Sequence, residues 1–229
     1  MSSQMKKMVT STRLISYSQP SEFDGIEGLE DVQDLIAYCA KVSNPSAQVK
    51  AETSERLIRY LVKHKHWSPL EMASACIEIN TTRDIAHQIV RHRSFAFQEF
   101  SQRYAEPSEM ENSMVTRECR LQDATNRQNS VDTDDSELKK EWELHQNLVI
   151  RQSKIAYDWA IENGIAKEQA RVVLPEGCTR TRLYMNGSLR SWIHYIELRG
   201  SNGTQKEHME VAQCCALEIA KIFPLMEKL

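Results

Sequence analysis

A chain of 229 residues fits one domain, or one domain carrying a long insertion. Its composition, 41% apolar with only 7 Gly and 6 Pro, supports a buried core and excludes a chain that is disordered by composition. A formal net charge of -3, from 29 basic and 32 acidic residues, excludes a global electrostatic grip on nucleic acid or anionic membrane. Local basic clusters can still bind a phosphate.

Residues 12–18 have short strand character, and a turn-rich stretch with Pro20, Gly25 and Gly28 follows. Asp31 is a candidate cap for a helix whose apolar residues Val32, Leu35, Ile36 and Cys39 recur at helical spacing, closed by Ser43-Asn44-Pro45-Ser46. A second helix is expected from about Glu52 to His64, with Leu57, Ile58, Leu61 and Val62 turned inward. After the loop 66–71, residues 74–80 alternate as a strand, with Ala75, Ile77 and Ile79 on one parity. Thr81 or Thr82 can cap a helix over Arg83–Arg93, and residues 94–104 read as extended.

Residues 107–136 are polar and irregular and read as a mobile surface insertion. A long helix is expected over Ser136–Asn163, with Leu144, Leu148, Ile155 and Trp159 as its buried stripe and Asn163-Gly164 as its stop. A short helix over Lys167–Val173, a strand over Thr179–Met185, a helix capped by Ser188 and running to Leu198, and a last helix over Glu207–Phe223 complete the pattern. Helices mixed with a few separated strands make the expected class α+β, a single domain whose mixed, mainly antiparallel sheet is flanked by helices.

The six cysteines, Cys39, Cys76, Cys119, Cys178, Cys214 and Cys215, include no C-x-x-C pair, so they are expected as free thiols in a reducing cytoplasm. No apolar core follows Lys6 and Lys7, so a signal peptide is not expected. No apolar run approaches the roughly 18 residues of a membrane helix, and the expected location is cytoplasmic.

The chemistry concentrates in Arg91-His92-Arg93, followed by seven residues, Ser101, and then Arg103-Tyr104. Three ionisable residues at a helix C-terminus can simply satisfy its last carbonyls and its dipole. The next segment shifts the balance. In an extended chain Glu99, Ser101 and Arg103 share a face with Phe95 and Phe97. A carboxylate, a hydroxyl and a guanidinium in a row make a poor core strand and a good nucleotide site, since Arg binds phosphate in bidentate fashion. The same patch, with Phe100 and Tyr104, can alternatively stack bases in a nucleic-acid module, which the acidic overall balance opposes. His64 and His66, or His87 and His92, match no metal-ligand spacing, so no metal is expected.

This stretch resembles the signature of flavin-dependent thymidylate synthases, Gln-x-x-Arg-His-Arg followed by Asn-Glu-x-Ser-x-Arg-Tyr. It reads here as Gln88, Arg91, His92, Arg93, Gln98, Glu99, Ser101, Arg103 and Tyr104, with Gln98 alone departing. Other family motifs are similar and fall in the same order. They are Lys41-Val42-Ser43; His66-Trp67-Ser68-Pro69-Leu70-Glu71, with Met72 in place of a final His; and Ala170-Arg171-Val172-Val173-Leu174-Pro175. Ser188-Leu189-Arg190-Ser191-Trp192, with His194 and Leu198-Arg199, and then Glu207-His208 complete the set.

The resemblance implies reductive methylation of dUMP to dTMP, with methylenetetrahydrofolate as one-carbon donor and NADPH as reductant through bound FAD. It implies that Ser43, His66, Ser68, Arg91, His92, Arg93, Glu99, Arg190, His194 and His208 serve FAD. Gln88, Arg91, Glu99, Ser101, Arg103, Arg171 and Arg199 would serve dUMP, with Ser101 and Arg103 on the phosphate and Arg171 and Arg199 by the pyrimidine. Arg199 is the expected catalytic residue, its fixed charge stabilising negative charge on a uracil carbonyl oxygen. Ser101 is expected to bind rather than attack, and no cysteine nucleophile, metal or nucleic acid is expected. A homotetramer with active sites between subunits is implied as well. A flavin reductase without methyl transfer is the nearest competing reading; it leaves the dUMP-matching positions unexplained.

Overall fold

The computed structural model describes residues 10–22, 26, 28–48, 54–110, 112–201 and 203–228. Gly25 and the expected helix start at Glu52 lie outside these residues. In chain order the elements are β1 (Ser11–Tyr17), α1 (Val32–Ala40), α2 (Ser54–Lys63), β2 (Ser74–Thr82), α3 (Arg83–Ile89) and β3 (Ala96–Glu99). Then come β4 (Arg120–Gln122), β5 (Ser130–Asp132), α4 (Ser136–Glu162), α5 (Lys167–Ala170), β6 (Arg180–Ser188), α6 (Leu189–Arg199) and α7 (Lys206–Ala220). The fold is α+β, as the pattern predicts.

Four strands pair in the order β1-β2-β6-β3, and every pairing is antiparallel. The centre is β2 against β6, in register from Ser74 opposite Ser188 to Thr82 opposite Arg180. Alternation along β6 buries Thr181, Leu183, Met185 and Gly187 and leaves Arg182 and Asn186 outside. The buried face packs on α6 and α7 through Trp192, Tyr195, Val211, Ala212, Cys215 and Ile219. Trp192 donates its indole N–H to the Ala75 carbonyl at 3.0 Å, so the largest core ring leaves no unsatisfied donor.

Caps fall where residue chemistry places them. The Asp31 side chain accepts from the Asp34 N–H at 2.9 Å, and Ser188 caps α6 by accepting from the Ser191 N–H. Asp135 caps α4 through the N–H groups of Glu137 and Leu138.

Two expectations change. Residues 107–136 are not wholly irregular: β4 and β5 form a two-stranded hairpin. Asp123 closes its turn by accepting from the Thr125 and Asn126 N–H groups at 2.8 and 3.0 Å and from the Asn129 amide at 2.9 Å. Gln146 on α4 pins the segment through both backbone groups of Arg117.

The second change concerns α4. Its expected inner stripe is exposed, by 56% at Leu144, 43% at Leu148, 56% at Ile155 and 59% at Trp159. Tyr157 and Ala160 face inward instead, against Ala170 and Leu174. Helical spacing identifies an apolar face without saying what covers it.

Candidate active site

The signature triplet does not sit in a helix. α3 ends at Ile89, and the chain turns through residues 90–95 before β3 begins. The reason is Phe95. Its ring packs edge-on against Trp192 at 4.9 Å and near Tyr195 at 5.9 Å, so the chain leaves the helix to deliver it to the core. Gly187 on β6 makes room, because a Cβ there would overlap the Phe95 ring. The Ser191 hydroxyl holds the Ser94 carbonyl at 3.3 Å. The turn is thus anchored at its far end, and Arg91 and Arg93 project as exposed side chains.

β3 is also shorter than expected and stops at Glu99, because the backbone coils at Ser101, whose carbonyl accepts from the N–H groups of Tyr104 and Ala105. The face shared by Phe95, Phe97 and Glu99 holds that far. Glu99 is engaged internally, accepting from Thr181 Oγ1 at 2.8 Å and Arg83 at 3.3 Å. Ser101 and Arg103 lie in the turn beyond, where Arg103 meets Glu168 at 3.5 Å, three residues before Arg171.

The structure brings four of the expected residues into one cluster. Arg199 donates its Nε–H to His92 Nε2 at 3.1 Å. His92 stands edge-on to Tyr195 at 5.0 Å and near His208 at 6.2 Å. His208, fully buried, lies 3.1 Å from the Tyr195 hydroxyl and 3.2 Å from the Gln88 carboxamide. Because Arg199 can only donate, His92 Nε2 must accept, which makes the ring neutral with its proton on Nδ1. Burial and the Arg199 charge both lower the His92 pKa. Burial, then Arg199 and His92, bring His208 down to about 4. The cluster therefore carries one fixed positive charge, on Arg199, beside two neutral imidazoles.

Other expected residues form separate groups. Ser68 opens the turn that ends at Glu71, and Glu71 pairs with Arg190. His194 stacks edge-on against Trp67 at 4.4 Å. Ser43 is exposed beyond α1, and His66 is exposed beside Tyr60. Arg91, Arg93 and Arg171 have no carboxylate partner among the described residues. His208 has no exposed surface in this subunit, and its ring nitrogens meet Gln88 and Tyr195. Burial raises the pKa of the Cys178 thiol, the opposite of the shift that activates a thiol.

Sequence reasoning missed Tyr195, whose hydroxyl meets His208; Gln205, which accepts from the Gln88 amide at 2.8 Å; and Arg120, which pairs with Glu207 next to His208. Tyr195 had a signal, one helical turn before Arg199 on α6. Arg120, far away in sequence, had none.

A model of the thymidylate synthase complementing protein family matches residues 26–225. A probable flavin-dependent thymidylate synthase of Paramecium bursaria Chlorella virus 1 is 46% identical over 218 residues, covering 95% of this chain and 97% of the viral one. The chain belongs to the flavin-dependent thymidylate synthase family. The flavin-dependent thymidylate synthase of Synechocystis is likewise 46% identical, over 93% of this chain and 95% of its own. The fold matches that of the UMP/dUMP methylase PolB from Streptomyces cacaoi, solved with 5-Br dUMP, at a TM-score of 0.77 and 23% identity over 96% of this chain and 93% of that one. Among the described residues of this family member, no helix is long and apolar enough to cross a membrane.

Proposed function

We propose that this chain methylates dUMP reductively to dTMP, with methylenetetrahydrofolate as one-carbon donor and NADPH as reductant through bound FAD, in the cytoplasm. The observation that carries the reading is the Arg199–His92 contact. Arg199 spends its Nε–H on a neutral ring, and its terminal nitrogens make no other bond among the described residues. They remain available for a uracil carbonyl oxygen, where a fixed charge in a half-buried site stabilises the negative charge that develops as the ring is activated. Neutral His92 holds that guanidinium without cancelling its charge.

The residues suit FAD. Arg91 and Arg93 are exposed guanidiniums with no carboxylate among the described residues, the donor set a pyrophosphate requires. Arg190, Ser68 and His194 group on a neighbouring surface. Bound FAD supplies hydride transfer, and the protein supplies orientation and charge. Arg103 and Ser101 would take the dUMP phosphate, with Arg171 beside them. The Arg103–Glu168 pair is exposed on both sides, so exchanging the carboxylate for a phosphate costs little.

The assembly proposed is a homotetramer with sites between subunits. The exposed apolar face of α4, formed by Leu144, Leu148, Ile155 and Trp159, supports it, since such a patch marks a contact surface. So does the division of the site residues into separate groups within one chain.

The test is anaerobic. The purified protein is reduced with NADPH, then given dUMP and methylenetetrahydrofolate while flavin absorbance and dTMP are followed. Reoxidation that requires both substrates and yields dTMP is expected. Reduction without dTMP replaces the reading with a reductase, and a colourless protein removes the flavin altogether.

A further inference from the structure

We propose that Arg120 and Glu207 are positioning residues for the dUMP site, acting through a one-way hydrogen-bond chain that fixes the orientation of Gln88 and the tautomer of His208. The proposal rests on the assignment of Gln88 to dUMP. Its physical basis is the polarity of each link.

The chain starts at the one group whose role is not negotiable. Glu207 is 7% exposed at its side chain and paired with Arg120, itself 11% exposed. Arg120 keeps Glu207 ionised, and a carboxylate only accepts. Gln205 must therefore turn its amide nitrogen to Glu207, at 3.0 Å. That leaves Gln205 Oε1 to accept from the Gln88 amide nitrogen at 2.8 Å. Gln88 Oε1 then faces His208 Nδ1 at 3.2 Å and must accept, so Nδ1 carries the proton. His208 Nε2 is left as an acceptor, and the Tyr195 hydroxyl at 3.1 Å donates to it. Amide orientations and histidine tautomers are usually undetermined by geometry alone. Here a single buried anion determines all of them in sequence.

The consequence reaches the substrate. Gln88 lies on α3, one turn before Arg91 and His92, and among the described residues its two bonds leave one amide hydrogen and one oxygen lone pair over. The chain fixes which is which. A flipped carboxamide would present donor for acceptor, and a mismatched buried pair forfeits the bond and pays for desolvation. Arg120 belongs to β4, so the hairpin, otherwise without chemistry, sets the register of the site through Glu207 at the start of α7.

The flavin-loaded enzyme, labelled with 15N at histidine, tests this by imidazole shifts, with His208→Gln identifying the His208 signals. Wild type is expected to show His208 protonated at Nδ1 alone. Glu207→Gln, whose amide can face Gln205 either way, is expected to lose the single tautomer. It should also weaken dUMP binding about tenfold, with kcat at saturating dUMP and flavin content within about twofold of wild type. Gln205→Met, which cuts the chain without touching the ion pair, is expected to do the same and serves if Glu207→Gln folds poorly. A wild-type His208 protonated at Nε2 overturns the proposal. So does a correctly folded Gln205→Met that keeps both the tautomer and the dUMP affinity. Wild-type enzyme that binds no dUMP at all counts instead against the assigned function, and leaves the tautomer result standing.

Discussion

The inner cluster and the outer cations of this chain differ in what they require to be complete. Around His92, Arg199, His208, Gln88 and Tyr195, each residue is held by at least one hydrogen bond within the same subunit, and the geometry follows from the core itself. Arg91, Arg93 and Arg171 lack carboxylate partners among the described residues, and α4 turns its tryptophans outward. The first region is finished by folding. The second is consistent with completion by ligands and a second copy of the chain. Preorganised charge belongs in the first, where it costs no reorganisation during reaction, while recognition can remain open in the second.

Separating the two regions experimentally begins with the outer one. If the proposed tetramer forms through α4, Leu148→Glu combined with Trp159→Glu is expected to convert it to smaller species in light scattering, while far-UV circular dichroism stays native, since both side chains are exposed in the subunit. A tetramer unchanged by two charges on that face would remove α4 from the interface. Arg199→Ala cuts into the inner cluster. It should lower the rate of dUMP-dependent flavin reoxidation by about 100-fold or more, with flavin reduction by NADPH nearly unaffected. Equal loss in both half-reactions would make Arg199 structural.

Acid probes the same cluster. His208 has a folded pKa of about 4 against an ordinary 6.5, so between these values the unfolded chain binds a proton that the folded chain refuses. The His208 contribution to stability is therefore expected to be full above pH 6.5, to fall as pH drops towards 4 and to level off below, by about 3 kcal/mol in urea unfolding. A slope that survives in His208→Gln would assign the loss to other groups. Gly187→Ala drives a methyl into the Phe95 ring and should cost about 1–3 kcal/mol by overpacking, loosening the turn that carries Arg91 and Arg93. The smallest effect belongs to the outer set: Glu168→Gln should alter stability by less than about 1 kcal/mol and leave dUMP affinity equal or tighter, as measured by calorimetry.

Much of this was legible one residue at a time. Asp31, Asp135 and Ser188 cap their helices because a short polar side chain before an apolar period does so in any fold. The alternation in β2 set its buried parity in advance. The end of α3 was not legible, because local propensity through Arg93 is good and the break is imposed by a ring that must reach Trp192. The stripe on α4 misled for the opposite reason: its period is real, and the subunit buries a different face.

The amino-acid sequence by itself determined the class of fold, the capped helices and the family-specific spacing from Gln88 to Tyr104, since these depend on neighbours within a few residues of each other. Only the tertiary structure decided that Arg199 rests on His92, that His208 is buried, and that Arg120 reaches Glu207 across 87 positions of chain. Contacts of that separation are chosen by how the sheet and α7 pack together, and no local pattern encodes them.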